Sequence, residues 1–145
     1  MNNTGHNERG AAQTNMHAAG FLIANEVVYL VNEQILISID CRERPIIKLR
    51  TTMANLLKYL LENSQHEMIS DEELMDNIWE KHNLRASNAR LWQVMREMRN
   101  RLSEAGLTKE IFYRVGRKGY VVRDNEIDIF YSEKKNNETK VYNYG

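Results

Sequence analysis

The sequence predicts an α+β fold: a small N-terminal antiparallel sheet, three helices and a closing β-hairpin. Three observations predict it. Residues 21–50 hold short β-rich runs parted by turn residues, residues 51–103 hold apolar stripes at helical spacing, and residues 111–122 hold two strand-like runs around a glycine-bracketed tip. The 145 residues give room for one domain with one core. Composition agrees, since 42% hydrophobic and 28% charged residues are ordinary for a globular chain.

Residues 1–20 contain Met1 and Met16 as their only large apolar side chains, so a disordered tail is expected there. The domain is then expected over 21–123. It begins with FLIA, VVYLV, ILISID and IIKL, four short strands joined by tight connections. In the third, Ile35, Ile37 and Ile39 alternate with Leu36, Ser38 and Asp40, the period of a half-buried strand. A turn at Arg42–Pro45 leads into the fourth. Such a meander needs a helix over one face.

That helix follows, capped by Thr51 or Thr52, with Met53, Leu56, Leu57, Leu60 and Leu61 as its stripe. A second helix is predicted from Asp71 to about His82. Ser70 and Glu73 make a capping box, and Asp71 and Glu72 sit at the positive end of the helix dipole. The acidic run is thereby helix-start chemistry rather than a metal or catalytic site. Leu74, Met75, Ile78 and Trp79 face the core. The third helix spans about 88–103, with Ser87 as its cap and Gly106 as its stop. Leu91, Val94 or Met95, Met98 and Leu102 turn inward. Arg90, Gln93, Arg96, Glu97 and Asn100 turn outward, with Arg99 and Arg101 on the flanks. The hairpin IFYRV/YVVR then carries Gly116-Arg117-Lys118-Gly119 at its tip, which projects positive charge. Residues 124–145 read as a polar tail or linker, with a short edge strand over 127–131 and disorder after Ser132.

Net charge is zero, with 20 basic and 20 acidic side chains, but the two signs are segregated. Between Glu62 and Leu84 seven acidic residues face Lys81 alone. Between Arg85 and Arg123 ten basic residues face only Glu97, Glu104 and Glu110, a local net of +7. That asymmetry predicts an electrostatic footprint on one surface. The single cysteine, Cys41, excludes an internal disulfide, fits a reducing compartment and is expected in or beside a strand. No two histidines share metal-ligand spacing, and no cofactor is implied. A signal peptide and a stretch of about 20 apolar residues are both missing, so a cytoplasmic chain is expected. No Gly-rich phosphate loop or nucleophile–base set appears, which excludes an enzyme reading.

Four stretches in this order resemble the OmpR/PhoB-type winged-helix DNA-binding domain, and within it the ToxR/CadC-like branch. They are IIKLRTTMANLLKYLLEN, MISDEELMDNIWEKH with Trp79, LWQVMREMRNRL, and YRVGRKGYVV with Val115, Gly119 and Tyr120. The resemblance covers roughly residues 21–123. It implies a winged helix-turn-helix that binds promoter DNA by sequence, with helix 88–103 in the major groove and wing 111–122 at the minor groove. Base-reading positions would be Arg90, Gln93, Arg96, Glu97 and Asn100. Backbone and wing positions would be Ser87, Asn88, Trp92, Arg99, Arg117, Lys118 and Tyr120. Guanidinium and amide groups suit base edges, and cations at the tip suit phosphates. Loop 81–86 stands where the family meets RNA polymerase, a candidate activation surface. A dimer on tandem or inverted half-sites also follows from the resemblance.

Glu97 departs from the family's pattern, where relatives place arginine. Unpaired it repels phosphates; it either accepts from a cytosine amino group or pairs with Arg90 or Arg101 along the helix. Trp92 lies at the edge of the reading face, and a large aromatic there packs against its neighbours more often than it meets DNA. Arg99 serves internal ion pairing as readily as DNA. Twenty residues before the sheet are too few for a phospho-receiver domain. The chain is then either a soluble member or the cytoplasmic part of a single-pass membrane protein. The alternative function is a winged-helix module that binds protein, an adaptor for another regulator, for which Glu97 and zero net charge speak.

Overall fold

Strand register decides which side of the first sheet meets the helices. The computed structural model describes residues 16–40, 44–135 and 138–143. Its strands β1 (Met16–Ile23), β2 (Val27–Leu30), β3 (Ile35–Ser38) and β4 (Ile47–Lys48) form an antiparallel meander. Then come α1 (Thr51–Glu62), β5 (Ile69–Ser70), α2 (Asp71–Ile78), α3 (Asn88–Glu104), β6 (Phe112–Val115), β7 (Gly119–Val122), β8 (Ile127–Lys135) and β9 (Glu138–Asn143). The pairs Phe21↔Tyr29, Ile23↔Val27, Tyr29↔Leu36 and Val27↔Ser38 put buried side chains on one face. Alternation in the third strand holds, but its inward half is Leu36 and Ser38. Ile35 and Ile37 are half-buried on the other face, and Ile39 is 51% exposed. Pairing with Tyr29 draws Leu36 inward, and the pleat then sends the isoleucines outward.

The sheet has six strands rather than the four expected, in the order β4-β3-β2-β1-β8-β9. Residues 16–20, expected in the tail, are strand, and the segment expected as a polar linker supplies β8 and β9. The edge strand expected over 127–131 is longer and interior, paired to β1 on one side and β9 on the other. Composition hides this, because ladder hydrogen bonds come from backbone and ask little of the side chains. Ser64 Oγ donates to Asp124 Oδ1 (2.7 Å) and Ala24 N–H donates to Glu126 O (2.7 Å), which aims β8 along β1. Ile127 and Ile129 pack against the core. Residues 1–15 of the expected tail and the strand position expected for Cys41 lie outside the described residues.

The helices cover the inner face of the sheet. Met53, Leu56, Leu57, Leu60 and Leu61 of α1 are buried in one core with Leu74, Ile78 and Trp79 and with the inner stripe of α3. Arg50, not Thr51 or Thr52, is the N-cap of α1, and it makes no side-chain cap bond. The expected second helix is split: α2 ends at Ile78, and a 3₁₀ turn at Glu80–His82 closes on Asn83 in the left-handed region (φ 60°). Ser70 Oγ accepts the Glu73 N–H (3.0 Å), as a cap should, whereas the Glu73 carboxylate takes the Tyr59 hydroxyl (2.5 Å). Burial and that carboxylate push the Tyr59 phenol up to about 12, so it stays a donor.

Ser87 Oγ caps α3 through the Arg90 N–H (3.1 Å). Gly106, at φ 114°, ends it, with Leu107 N–H on Leu102 O (2.9 Å) and Gly106 N–H on Ser103 O (3.0 Å). β6 and β7 form the hairpin, and β5 pairs with β7 in a second, three-stranded sheet. Gly119 is required there because a Cβ would lie 2.2 Å from Ile69 O.

A chain ending at Arg123 removes the partner of β1 and bares its edge. It is expected to melt at lower temperature and to aggregate at concentrations the full chain tolerates. Thermal denaturation with light scattering tests this, and identical behaviour of the two chains would mean that β8 contributes nothing to the fold.

Candidate nucleic-acid interface

Helical geometry makes the outer face of α3 a consequence of its buried one. With Leu91, Val94, Met95, Met98 and Leu102 buried, Arg90, Gln93, Arg96 and Asn100 are left exposed in one strip. At about 1.5 Å per residue the strip runs roughly 15 Å, enough to lie across several base pairs of a groove about 12 Å wide. Asn88, Ala89, Trp92, Gln93 and Arg96 line a shallow hollow on this face. The packing expected of Trp92 does not occur: the residue is 64% exposed, with little among the described residues to cover it on that side of α3. Ser87 and Asn88 are exposed at the start of the helix, the Ser87 hydroxyl being already engaged as the cap.

Several predicted site residues are engaged within the fold. Tyr120 is only 4% exposed, in the core, with the Arg114 guanidinium 4.7 Å from its ring centre. Its phenol is pushed up chiefly by burial. Arg99 Nη1 donates to Glu110 Oε1 (2.6 Å) and Nη2 to Phe112 O (3.1 Å), which ties α3 to the start of the hairpin. Arg101 pairs with Glu104 (3.1 Å). Glu97 takes neither of the partners expected along its helix. Its Oε1 accepts from Arg50 Nη2, and its Oε2 faces Gln93 Nε2 at 3.4 Å. Arg50 sits 47 residues earlier, so no helical spacing points to it.

The wing is fastened to the second helix by a residue that the charge count alone counts as surface. Arg114 Nη1 and Nη2 donate to the two Asp71 carboxylate oxygens at 2.7 and 2.8 Å, and its Nε donates to Gly116 O (2.9 Å). The Asp71 N–H donates to Lys118 O (2.9 Å), so the tip and the first residue of α2 hold each other. The hydrogen bonds from Arg114 to Asp71 outweigh burial and raise the pKa of the guanidinium, which stays charged. Arg117 and Lys118 stand exposed at the tip.

Pairing sorts the basic cluster. Arg99, Arg101, Lys109 and Arg114 each have a carboxylate partner, and Arg123 lies over the Tyr113 ring at 5.7 Å. Arg85, Arg90, Arg96, Arg117 and Lys118 are exposed and form no ion pair among the described residues. The positive field is therefore carried by the outer strip and start of α3 and by the hairpin tip. The segment 81–86 expected as a loop begins inside the 3₁₀ turn, and its residues Lys81–Arg85 are exposed, Leu84 among them. Among the described residues no three His, Cys, Asp or Glu side chains are grouped to hold a metal, and no helix is long and apolar enough to cross a membrane.

The family model described as "Transcriptional regulatory protein, C terminal" matches residues 43–122, more than half of the chain. The chain belongs to this family. It is an OmpR/PhoB-type winged-helix domain, and that family is one of DNA-binding regulatory domains rather than of enzymes. The match starts before β4 and ends at Val122, so β1–β3 and the β8–β9 addition lie outside it. A comparison with curated proteins finds no match.

Replacing Arg114 by Met, or Asp71 by Asn, leaves a partly buried charge without its bidentate partner. Each is expected to cost about 1.5–3 kcal/mol in urea denaturation. The double variant should lose less than the sum of the two. Strict additivity would refute the clamp.

Proposed function

We propose that this regulator reads promoter DNA with α3 in the major groove and the β6–β7 wing at the minor groove. The observation that carries the reading is the exposed strip of Arg90 and Arg96 flanking Gln93, with Asn100 beyond, opposite the buried face of α3, the two arginines forming no ion pair among the described residues. Guanidinium forks suit guanine O6 and N7, and carboxamides suit adenine. Ser87 and Asn88 at the helix start approach a phosphate through backbone N–H groups, and Trp92 meets a sugar or a thymine methyl. Arg117 and Lys118 contact phosphates or the narrow minor groove.

Three sequence-derived contacts drop out of the proposal. Tyr120 is buried, Arg99 is held by Glu110 and Phe112, and Glu97 is neutralised by Arg50. The last pairing also weakens one of the two supports for an adaptor that binds protein, leaving zero net charge as the other. Loop 81–86, exposed beside the start of α3, is the surface proposed to meet RNA polymerase. Binding as two copies on tandem or inverted half-sites, and a membrane-embedded remainder of a longer chain, belong to the same proposal.

Affinity for a preferred duplex should fall with salt at a log–log slope near −0.9 per neutralised phosphate. Arg96→Ala should cost on the order of 1–3 kcal/mol and relax preference at one base pair, while Lys118→Ala should weaken all sequences alike and lower the salt slope by about one. Electrophoretic shift or fluorescence anisotropy across a salt series reads both. An Arg96→Ala variant that binds every duplex as the parent does would sink the assignment of α3 as reader.

A further inference from the structure

Three groups from two elements meet in a chain on the outer face of α3. Arg50 stands at the N-cap of α1 with its side chain 71% exposed, and its Nη2 binds Glu97 Oε1. The other oxygen of Glu97 faces Gln93 Nε2, one helical turn back. Both carboxylate oxygens are thus occupied, one by a cation and one by an amide.

A carboxylate can face only the NH₂ side of a carboxamide, since its C=O would be repelled. Glu97 therefore sets which way round the Gln93 amide sits, and Oε1 is the atom turned away from the pair. Without Arg50, Glu97 would be an uncompensated anion on a surface that approaches phosphates, free to swing away from Gln93. Arg50, Arg85 and Arg90 also line one hollow between the start of α1 and the start of α3.

We infer that Arg50 is a positioning residue for base recognition: through Glu97 it orients Gln93 so that Oε1 is presented to the groove as an acceptor. An acceptor there takes the amino group of adenine (N6) or cytosine (N4). It rejects guanine O6 and thymine O4, which are acceptors themselves. Glu97 is then a bridge and not a reader. The inference rests on α3 entering the major groove.

Selection from a library of random DNA duplexes tests it, using the full chain and its Gln93→Ala, Arg50→Ala, Glu97→Ala and Arg50→Lys variants, with circular dichroism as the folding control. Gln93→Ala identifies the base position that Gln93 reads. The parent should enrich adenine or cytosine there. Arg50→Ala and Glu97→Ala should each reduce that preference about two- to tenfold, the worth of one oriented hydrogen bond. The preferences at other positions should persist, and Arg50→Lys, which keeps the charge, should retain most of the parent pattern. A purely structural Arg50 would change affinity for all duplexes together and leave the base preference alone. Guanine or thymine at the Gln93 position overturns the inference, as does a preference unmoved in both Arg50→Ala and Glu97→Ala, or no position relaxed by Gln93→Ala. If the parent enriches no sequence at all, the reading of α3 as the groove helix falls with it, which separates the two failures.

Discussion

A helix that buries one stripe has no freedom over what the opposite stripe displays, and α3 is under that constraint along its whole length. Leu91, Val94, Met95, Met98 and Leu102 are held in the common core with α1 and α2. Each fully buried leucine is worth about 1.5–3 kcal/mol relative to an exposed one, so rotating the helix would cost several such contacts at once. Arg90, Gln93, Arg96 and Asn100 are consequently presented by the packing of other residues, on a rigid element whose ends are fixed by the Ser87 cap and the Gly106 stop. DNA binding by this family needs that kind of preorganisation, because long cationic side chains lose conformational freedom on contact and the scaffold must not lose any more.

Arginines that look alike along the chain separate into two populations once their partners are known. Arg114 and Arg99 lie against carboxylates and backbone carbonyls near the hairpin, where partial burial strengthens charge-assisted hydrogen bonds. They hold the wing to α2 and α3. Arg90, Arg96, Arg117 and Lys118 remain solvated and able to exchange water and counterions for phosphate or base. Arg50 belongs to neither population. It sits on the surface and compensates Glu97, the carboxylate on the face of α3 proposed to meet DNA.

The sheet shows a different dependence on context. Its helix-facing side follows from alternation and register, but its width follows from β8 and β9, which lie beyond the matched family region. Pairing with β8 turns β1 from an edge strand into an interior one and covers a row of backbone donors and acceptors. The hydrogen bonds at Asp124 and Glu126 lead the chain into that register. What reads as a polar linker is thus part of the scaffold on which α1 and, through it, α3 are mounted.

Local information was enough for much of this. Apolar periodicity determined three helices and their buried faces, Ser70 and Ser87 determined two helix starts, Gly106 determined the end of α3, and the glycine-bracketed Arg117-Lys118 determined a cationic hairpin tip. Each depends on contacts within a few residues, which spacing encodes directly. Tertiary structure alone decided the partners of Arg50, Arg99 and Arg114, the burial of Tyr120 and exposure of Trp92, the inward half of β3, and the place of β8 in the sheet. The reason is common to all of them. Whether a charge is neutralised, a ring covered or an edge paired depends on residues up to about a hundred positions away, and a one-dimensional pattern carries no record of which of them arrives.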